Sequence, residues 1–313
     1  MILITGATGL TGSAVVREFV RRGRPARALV RNPDKARALT AVSGVEVVQG
    51  DLLVPDTLAP ALEGIDTVVL ISSADNRMVE AQCTLIDAAV AAGVGRIVKV
   101  SGLGPDLSSP FRFGRYHAQV EQYLQAAGVG WTLLRPSQFM QTYYREAPTM
   151  LADGTFAQPL GDTRLAPVDV QDVAEIAYAT ATGDGHASKT FEITGPQALT
   201  MTEICEVLSS VVGKPIRYVD IAPEEKRKRL LDAGIPPRFA DDLDDLFRLR
   251  RNGGPESRVD IKVFEQLGLR PTSFAEFAER SAAVFQGTSE PEQLWASGWQ
   301  NADVSVQGSG SGV

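Results

Sequence analysis

The first half of the chain alternates short apolar runs with longer segments whose apolar residues recur at helical spacing. Short runs of this kind are typical of strands in a parallel sheet, which are covered on both faces. Because strands and helices alternate, the pattern predicts a doubly wound parallel sheet of the Rossmann type, an α/β fold whose ligands bind at the carboxyl ends of the strands. The predicted strands are 1–4, 26–30, 45–49, 66–71, 96–100 and 131–134, and the longest predicted helices between them are 13–22, 81–92 and 110–127.

The second half of the chain is mostly helical in pattern. A late strand is predicted at 190–194 and a short one at 216–220. Thr200 with Glu203 forms a capping-box pattern that predicts the start of a helix, and Asp169 or Asp172 is the expected cap of an earlier one. The helical segments are 201–212, 224–251 and 272–285, which together predict a smaller, mostly helical C-terminal lobe.

Three glycines stand between the first predicted strand and the first predicted helix. Gly6 suits a tight turn, Gly9 allows a phosphate to approach the backbone, and Gly12 allows the helix to pack closely on the strand. The amino end of a helix offers free N–H groups and a partial positive charge, which suit a pyrophosphate. The alternative is a structural turn without a ligand. The predicted dinucleotide-binding residues of this loop are Gly6, Thr8, Gly9, Leu10, Thr11 and Gly12.

Residues at the ends of the next strands indicate which dinucleotide is bound. Arg31 follows the second strand, where an acidic residue would favour NAD, and Lys35 follows one turn later. A cation at this position favours the 2′-phosphate of NADP, although a solvated basic turn is the alternative. Asp51 suits the adenine amino group or an Asx turn. The remaining predicted cofactor contacts are Leu52, Ser72 and Ser73.

Composition narrows the class of protein. Of the 313 residues 44% are hydrophobic, which is enough for a large core, and the formal net charge of -7 argues against nucleic acid as a partner. Two distant cysteines, Cys83 and Cys205, predict neither a metal site nor a disulfide framework. No apolar run approaches the roughly 20 residues of a membrane span, and the first strand leaves no room for a signal peptide. We therefore expect a cytoplasmic protein without a membrane partner.

Four carboxylates in the second half could at first suggest a metal site. They are Asp241, Asp242, Asp244 and Asp245, which alternate with leucines along a predicted helix. Such a charge run is more typical of a solvated helix face, so no metal is predicted.

Several of these segments together resemble the NmrA-like family, whose members are atypical relatives of the short-chain dehydrogenase/reductases. The motifs are Gly-Ala-Thr-Gly-Leu-Thr-Gly at 6–12, Leu-Val-Arg-Asn-Pro at 29–33, Gly-Asp-Leu at 50–52 and Trp-Thr-Leu-Leu-Arg-Pro-Ser-Gln-Phe-Met at 131–140. A helix that carries His117 and Glu121 adds to the resemblance, which covers about residues 1–285. NmrA-like proteins include NADPH-dependent quinone, dye and azo reductases as well as non-catalytic dinucleotide sensors.

The resemblance implies a division of the chain. Residues 1–150 would form the dinucleotide-binding domain, to which 165–196 return. Residues 151–164 and 197–286 would form the substrate lobe, and 287–313, which are polar and rich in serine and glycine at the end, are expected to be a flexible tail.

The catalytic residues of the wider superfamily are replaced in this chain. A Tyr-x-x-x-Lys pair on the helix after the fifth strand normally supplies the proton and holds the nicotinamide ribose, but the matching positions are Phe113 and His117. Tyr116 lies about 100° around the helix and does not substitute for the tyrosine. His117 is therefore the predicted catalytic residue, as a proton donor, a ribose ligand or both, with Glu121 expected to orient it. Ser101 lies where the catalytic serine of the superfamily would be, and the alternative is that Ser-Gly at a strand end is ordinary turn chemistry.

The predicted substrate wall is apolar and suits a flat conjugated molecule. Its residues are Phe139, Met140, Tyr143 and Phe156, with Leu103 and Phe111 as further candidates and Tyr144 as a possible second phenol. The favoured function is hydride transfer from NADPH to a quinone-like or polycyclic aromatic substrate, because such an acceptor delocalises charge and needs no strong acid. The alternatives are an NADP(H)-binding redox sensor with a protein partner and a non-redox biosynthetic enzyme. A homodimer is compatible with each of them.

Overall fold

The protein is described from a computed structural model that covers residues 1–291, apart from the side chains of Lys35 and Ala38. Residues 292–313 of the tail predicted at 287–313 and the predicted role of the Lys35 side chain therefore lie outside the described residues. Seven parallel strands form the central sheet in the order β3-β2-β1-β4-β5-β6-β8. They are β1 (Ile2–Ile4), β2 (Ala26–Val30), β3 (Val45–Gln49), β4 (Thr67–Leu70), β5 (Arg96–Val100), β6 (Gly130–Pro136) and β8 (Lys189–Ile193). The predicted doubly wound parallel sheet is confirmed.

Helices cover both faces of this sheet, and each face has its own apolar core. On one face α1 and α7 pack against the strands, with Val15, Phe19 and Val173 fully buried. On the other face α3, α4 and α5 pack through Leu62, Leu85 and other apolar residues. None of the helices in the described residues is long and apolar enough to cross a membrane. The helices are α1 (Leu10–Arg21), α2 (Arg37–Thr40), α3 (Leu58–Leu62), α4 (Met78–Ala91), α5 (Arg112–Ala126), α6 (Ala147–Asp153) and α7 (Val170–Thr182).

The strand order reverses between β1 and β4, and the late strand β8 forms the edge of the sheet beside β6. Proline cannot donate to a strand ladder, but Pro136 still pairs with Ile193 of β8 at the end of β6. Proline lacks only the N–H, so its carbonyl still accepts a bond from the N–H of Leu103 at 2.9 Å, and Ser137 supplies the next donor to β8. The sheet edge beside the reversal is where ligands of such folds bind.

The C-terminal lobe is mostly helical but contains a small sheet of two parallel strands, β7 (Thr155–Gln158) and β9 (Arg217–Asp220). The sequence predicted β9 but not β7. Phe156, Leu208, Phe274 and Phe277 form part of its core. The single helix predicted at 272–285 is instead two short helices separated at Ser281. The lobe helices are α8 (Met201–Val212), α9 (Pro223–Asp232), α10 (Pro237–Arg251), α11 (Lys262–Leu267), α12 (Phe274–Arg280) and α13 (Ala282–Phe285).

Caps fix where the helices that connect these parts begin. The capping box of Thr200 and Glu203 is present at α8 as predicted. Asp169 caps α7 by accepting the N–H of Gln171, whereas Asp172 accepts bonds from the backbone and side chain of Thr272. Of the two expected caps, Asp169 therefore takes that role, and Asp172 ties α7 to the start of α12.

Candidate active site

The turn between β1 and α1 has no room for a side chain at Gly6 or Gly12 and little room at Gly9. Gly6 has a φ of 60°, and a Cβ added there would lie 2.9 Å from the carbonyl oxygen of Ile71. A Cβ on Gly12 would lie 2.1 Å from the carbonyl oxygen of Gly6, and one on Gly9 would lie 3.3 Å from the same atom. No side chain in the described part of the chain caps α1 and no acidic residue stands in its first turn, so the N–H groups at its amino end suit an anion. Thr8 and Gly9 are exposed on this turn, and Leu10 and Thr11 are half-buried.

The other predicted cofactor residues lie at the same edge of the sheet. Arg31 is exposed directly after β2. Asp51 accepts the N–H of Leu53 at 2.9 Å, so the Asx turn weighed from the sequence is formed. Ser72 accepts a bond from the buried side chain of Gln82 at 2.8 Å, and Ser73 is exposed beside it. Leu52 is half-buried against the apolar core under α3.

A cavity of about 280 Å³ lies beyond the carboxyl ends of β5 and β6, between the sheet and the C-terminal lobe. Most of the residues predicted from the sequence for catalysis or the substrate wall line it, including Ser101, Leu103, Phe111, His117, Phe139, Tyr143 and Phe156.

Three of the aromatic or thioether candidates have a different or smaller role than expected. Met140 does not line the cavity, because its side chain is 1% exposed and packs in the lobe core. The hydroxyl of Tyr144 bonds to that of Ser281, and its ring stacks on Phe277. Tyr143 lines the cavity but is only 2% exposed, and burial raises the pKa of its phenol. The half-buried Phe139 is therefore the more accessible part of the wall.

His117 contacts a residue that the sequence did not single out. It lies on α5, and its Nδ1 is 3.0 Å from Nζ of Lys99, the fourth residue of β5. Lys99 is fully buried, with 0% of its surface exposed. The sequence signal that could have indicated Lys99 is a lysine between valines within the strand Arg-Ile-Val-Lys-Val.

Glu121 does not orient His117, contrary to expectation. One of its carboxylate oxygens accepts the hydroxyl proton of Ser101 at 2.6 Å, and Arg135 of β6 donates to both oxygens. Ser101 is thus close to His117 on the cavity wall, but its proton is directed to Glu121. The expectation failed because β5 places Lys99, rather than the next turn of α5, against the imidazole.

Protonation in this cluster differs from that of free side chains. Burial, together with the nearby Lys99, lowers the pKa of His117 well below its usual value. Burial also lowers the pKa of Lys99 to about 7, an effect that the carboxylate of Glu121 opposes and the guanidinium of Arg135 strengthens. The imidazole is therefore neutral at neutral pH and acts as an N–H donor rather than as an imidazolium acid.

Sequence reasoning missed three ion pairs, two of which line the cavity. Arg112 at the start of α5 pairs with Asp242 of α10, and both side chains are buried. Asp242 is thus not on a solvated face, which corrects the interpretation of the four aspartates for this residue. Two further ion pairs line the cavity, Lys226 with Glu146 at 3.0 Å and Arg250 with Glu256.

The chain belongs to the NmrA-like family, whose sequence profile matches residues 1–278. An NAD(P)H azoreductase from Xenophilus azovorans is 36% identical over 285 residues, which are 91% of this chain and 99% of that protein. The crystal structure of an NADPH-dependent quinone oxidoreductase from Escherichia coli, complexed with NADPH, superposes with a TM-score of 0.81 at 33% identity, covering 90% of this chain and 99% of the other. A triphenylmethane reductase from Citrobacter sp., complexed with NADP(H), has a TM-score of 0.80 at 25% identity, covering 90% and 100%.

Proposed function

We propose that this protein is an NADPH-dependent oxidoreductase that transfers hydride to a quinone-like or polycyclic aromatic acceptor. The observation that carries the proposal is the apolar cavity, which Ser101 and His117 line. It lies at the same edge of the sheet as the glycine turn. The relatives named above are reductases of azo, quinone and triphenylmethane compounds, which are conjugated acceptors.

The residues of the glycine turn fit a dinucleotide. Gly6, Gly9 and Gly12 keep the surface above α1 free of side chains, and the uncapped N–H groups suit a diphosphate. Arg31 is exposed where the adenosine ribose lies in such folds and suits a 2′-phosphate. When bound, reduced nicotinamide supplies the hydride.

The site favours acceptors that do not need a strong acid. Phe113 stands where the superfamily has its tyrosine, and it packs against Phe111 with ring centroids 5.6 Å apart. The neutral imidazole of His117 can stabilise developing negative charge by donating one hydrogen bond. Because a quinone spreads that charge over its conjugated system, one neutral donor suffices, whereas a simple ketone concentrates the charge on one oxygen.

Steady-state oxidation of NADPH with a panel of quinones, azo compounds, triphenylmethane dyes and simple ketones tests this function. We expect turnover with at least one conjugated acceptor and none with the ketones. Reduction of ketones without any conjugated acceptor would contradict the proposal. A tight NADPH complex, measured by calorimetry, that turns over no acceptor would instead favour the sensor hypothesis, and product formation without NADPH consumption would favour a non-redox enzyme.

A further inference from the structure

The buried pair of Lys99 and His117 is the least expected feature of the cavity. A fully buried lysine is rare because burying an ammonium without full compensation costs several kcal/mol. Here the partners of Nζ within the described residues are Nδ1 of His117 at 3.0 Å and the carbonyl oxygen of Val100 at 3.4 Å. Among residues 1–291 no carboxylate bonds to this ammonium, and the nearby Glu121 is engaged by Ser101 and Arg135. The lysine is therefore poorly placed to stabilise the fold.

The contact fixes how the proton sits on the imidazole. While Lys99 is protonated its ammonium can only donate, so Nδ1 of His117 accepts from Lys99, and the neutral ring carries its proton on Nε2. A Cβ added to Gly102 on the cavity wall would lie 3.6 Å from Nε2, so this nitrogen is on the side of the ring next to the cavity. The structure thus arranges a donor chain from a buried amine, through an imidazole, toward the place where an acceptor would bind.

The charged groups around Lys99 come from three elements. Glu121 of α5 favours the protonated amine, Arg135 of β6 disfavours it, and Cys83 of α4 has a small favourable effect. Burial, together with Arg135, outweighs Glu121 and Cys83 and brings the pKa of Lys99 to about 7. Near neutral pH the amine can therefore both give and regain a proton, which a free lysine does not do readily.

We propose that Lys99 is the positioning residue of the reaction: it holds His117 as the Nε2–H tautomer and passes a proton to Nδ1 when His117 protonates the reduced acceptor. This inference rests on the proposed function, with reduced nicotinamide as the reductant. It assigns the proton supply to a residue of the strand rather than to one on the helix that carries His117.

The step balances in electrons and protons. The hydride brings an electron pair to the acceptor, whose oxygen becomes negative and forms a bond with the proton from Nε2 as that N–H bond breaks. Nδ1 forms a bond with a proton that leaves Nζ, so the lysine becomes a neutral amine and the imidazole stays neutral. After the product leaves, a solvent proton entering through the cavity binds Nε2, and the proton on Nδ1 returns to Nζ.

The first test uses the tautomer of His117 and does not depend on turnover. The chain has two histidines, so a His186→Gln variant assigns their NMR signals. In long-range ¹H–¹⁵N spectra of the full chain, recorded below pH 7 where Lys99 is protonated, we expect His117 as the Nε2–H tautomer with a pKa well below that of a free histidine. In Lys99→Met we expect a mixture of tautomers and a higher pKa. An Nδ1–H tautomer in the wild type, or unchanged tautomers and pKa in Lys99→Met, would overturn the proposal.

The second test is kinetic and uses a matched control. Lys99→Met should lower kcat about 30-fold with little change in KM, and Lys99→Arg, which keeps the charge but holds its proton, should be equally impaired. The wild-type kcat should fall as pH rises above about 7, where Lys99 loses its proton, and this decline should be absent in Lys99→Met. Lys189→Met, on the exposed edge strand β8, should behave as wild type. An unchanged kcat and pH profile in Lys99→Met would refute the relay.

Thermal unfolding separates the relay from a structural role. Since burial makes the lysine costly, Lys99→Met should raise Tm, while a lysine needed for the fold would lower it. If Lys99→Met does not fold, thermal unfolding favours a structural role for Lys99. The NMR tautomer of His117 in the wild-type protein then decides by itself whether the donor chain exists. If wild type turns over no acceptor, the proposed function fails, while the tautomer result still reports on the Lys99–His117 contact.

Discussion

The glycine turn and the His117 cavity lie at the same edge of the sheet, but they are built in opposite ways. The turn is one continuous segment, residues 6–12, and its proposed chemistry comes from backbone N–H groups, because Gly6 and Gly12 leave no space for a side chain at those positions. The cavity collects side chains from α5, the end of β6 and α10, with Lys99 of β5 behind His117, so it is assembled from separate elements. A local, backbone-built site depends on shape alone, whereas an assembled site depends on which side chains the fold brings together.

The largest expected effect comes from placing a single methyl group in the turn. Gly12→Ala would put a Cβ 2.1 Å from the backbone oxygen of Gly6, so the turn must move. Losing two charge-assisted bonds of about 2 kcal/mol each would weaken NADPH binding about a thousandfold, measured by calorimetry. Gly95→Ala is the control, since its Cβ would have an ordinary contact at 3.5 Å. Equal NADPH affinity of the two variants would contradict the backbone-built site.

The contrast explains what the sequence could predict. The strands follow from local patterns of hydrophobicity, and the glycine turn, Asp51 and Ser72 follow from turn chemistry at the strand ends. The structure has the turn and these two residues at one edge of the sheet. The contact between Lys99 and His117 and the ion pair between Arg112 and Asp242 join residues that are far apart in the chain. Such contacts depend on how elements pack, and no local period encodes them. Met140 and Tyr144 carry the side chains expected of a substrate wall, but packing turns them into the lobe core.

The next largest effect tests the assembled site at its most important side chain. His117→Ala removes the N–H donor beside the acceptor and should lower kcat about a hundredfold with NADPH affinity nearly unchanged. His117→Gln, whose amide can also donate, should recover part of the loss. The control is His186→Ala, because His186 lies away from the cavity, near Phe191. A rate within a factor of about two of wild type in His117→Ala would mean that the cavity needs no donor from α5.

A smaller effect is expected at the adenosine end of the turn. Arg31→Glu replaces the exposed cation by a group that repels a 2′-phosphate and can accept bonds from a 2′-hydroxyl. We expect the ratio of kcat/KM for NADPH to that for NADH to fall at least about tenfold, which corresponds to about 1.4 kcal/mol. Arg24→Glu makes the same charge change at an exposed position before β2 and should leave the ratio unchanged. If both variants shift the ratio equally, the preference reflects overall charge rather than a contact.

The smallest effect distinguishes two neighbouring residues that the sequence assigned to the same wall. Phe139 is half-buried and lines the cavity, while Met140 is 1% exposed in the lobe core. Phe139→Ala should raise the KM of a conjugated acceptor about fivefold, from about 1 kcal/mol of lost apolar contact. Met140→Leu preserves volume and should leave KM unchanged while costing less than about 1.5 kcal/mol of stability, measured by denaturant unfolding. A raised KM in Met140→Leu and an unchanged KM in Phe139→Ala would mean that the substrate contacts the lobe core instead of the cavity wall at Phe139.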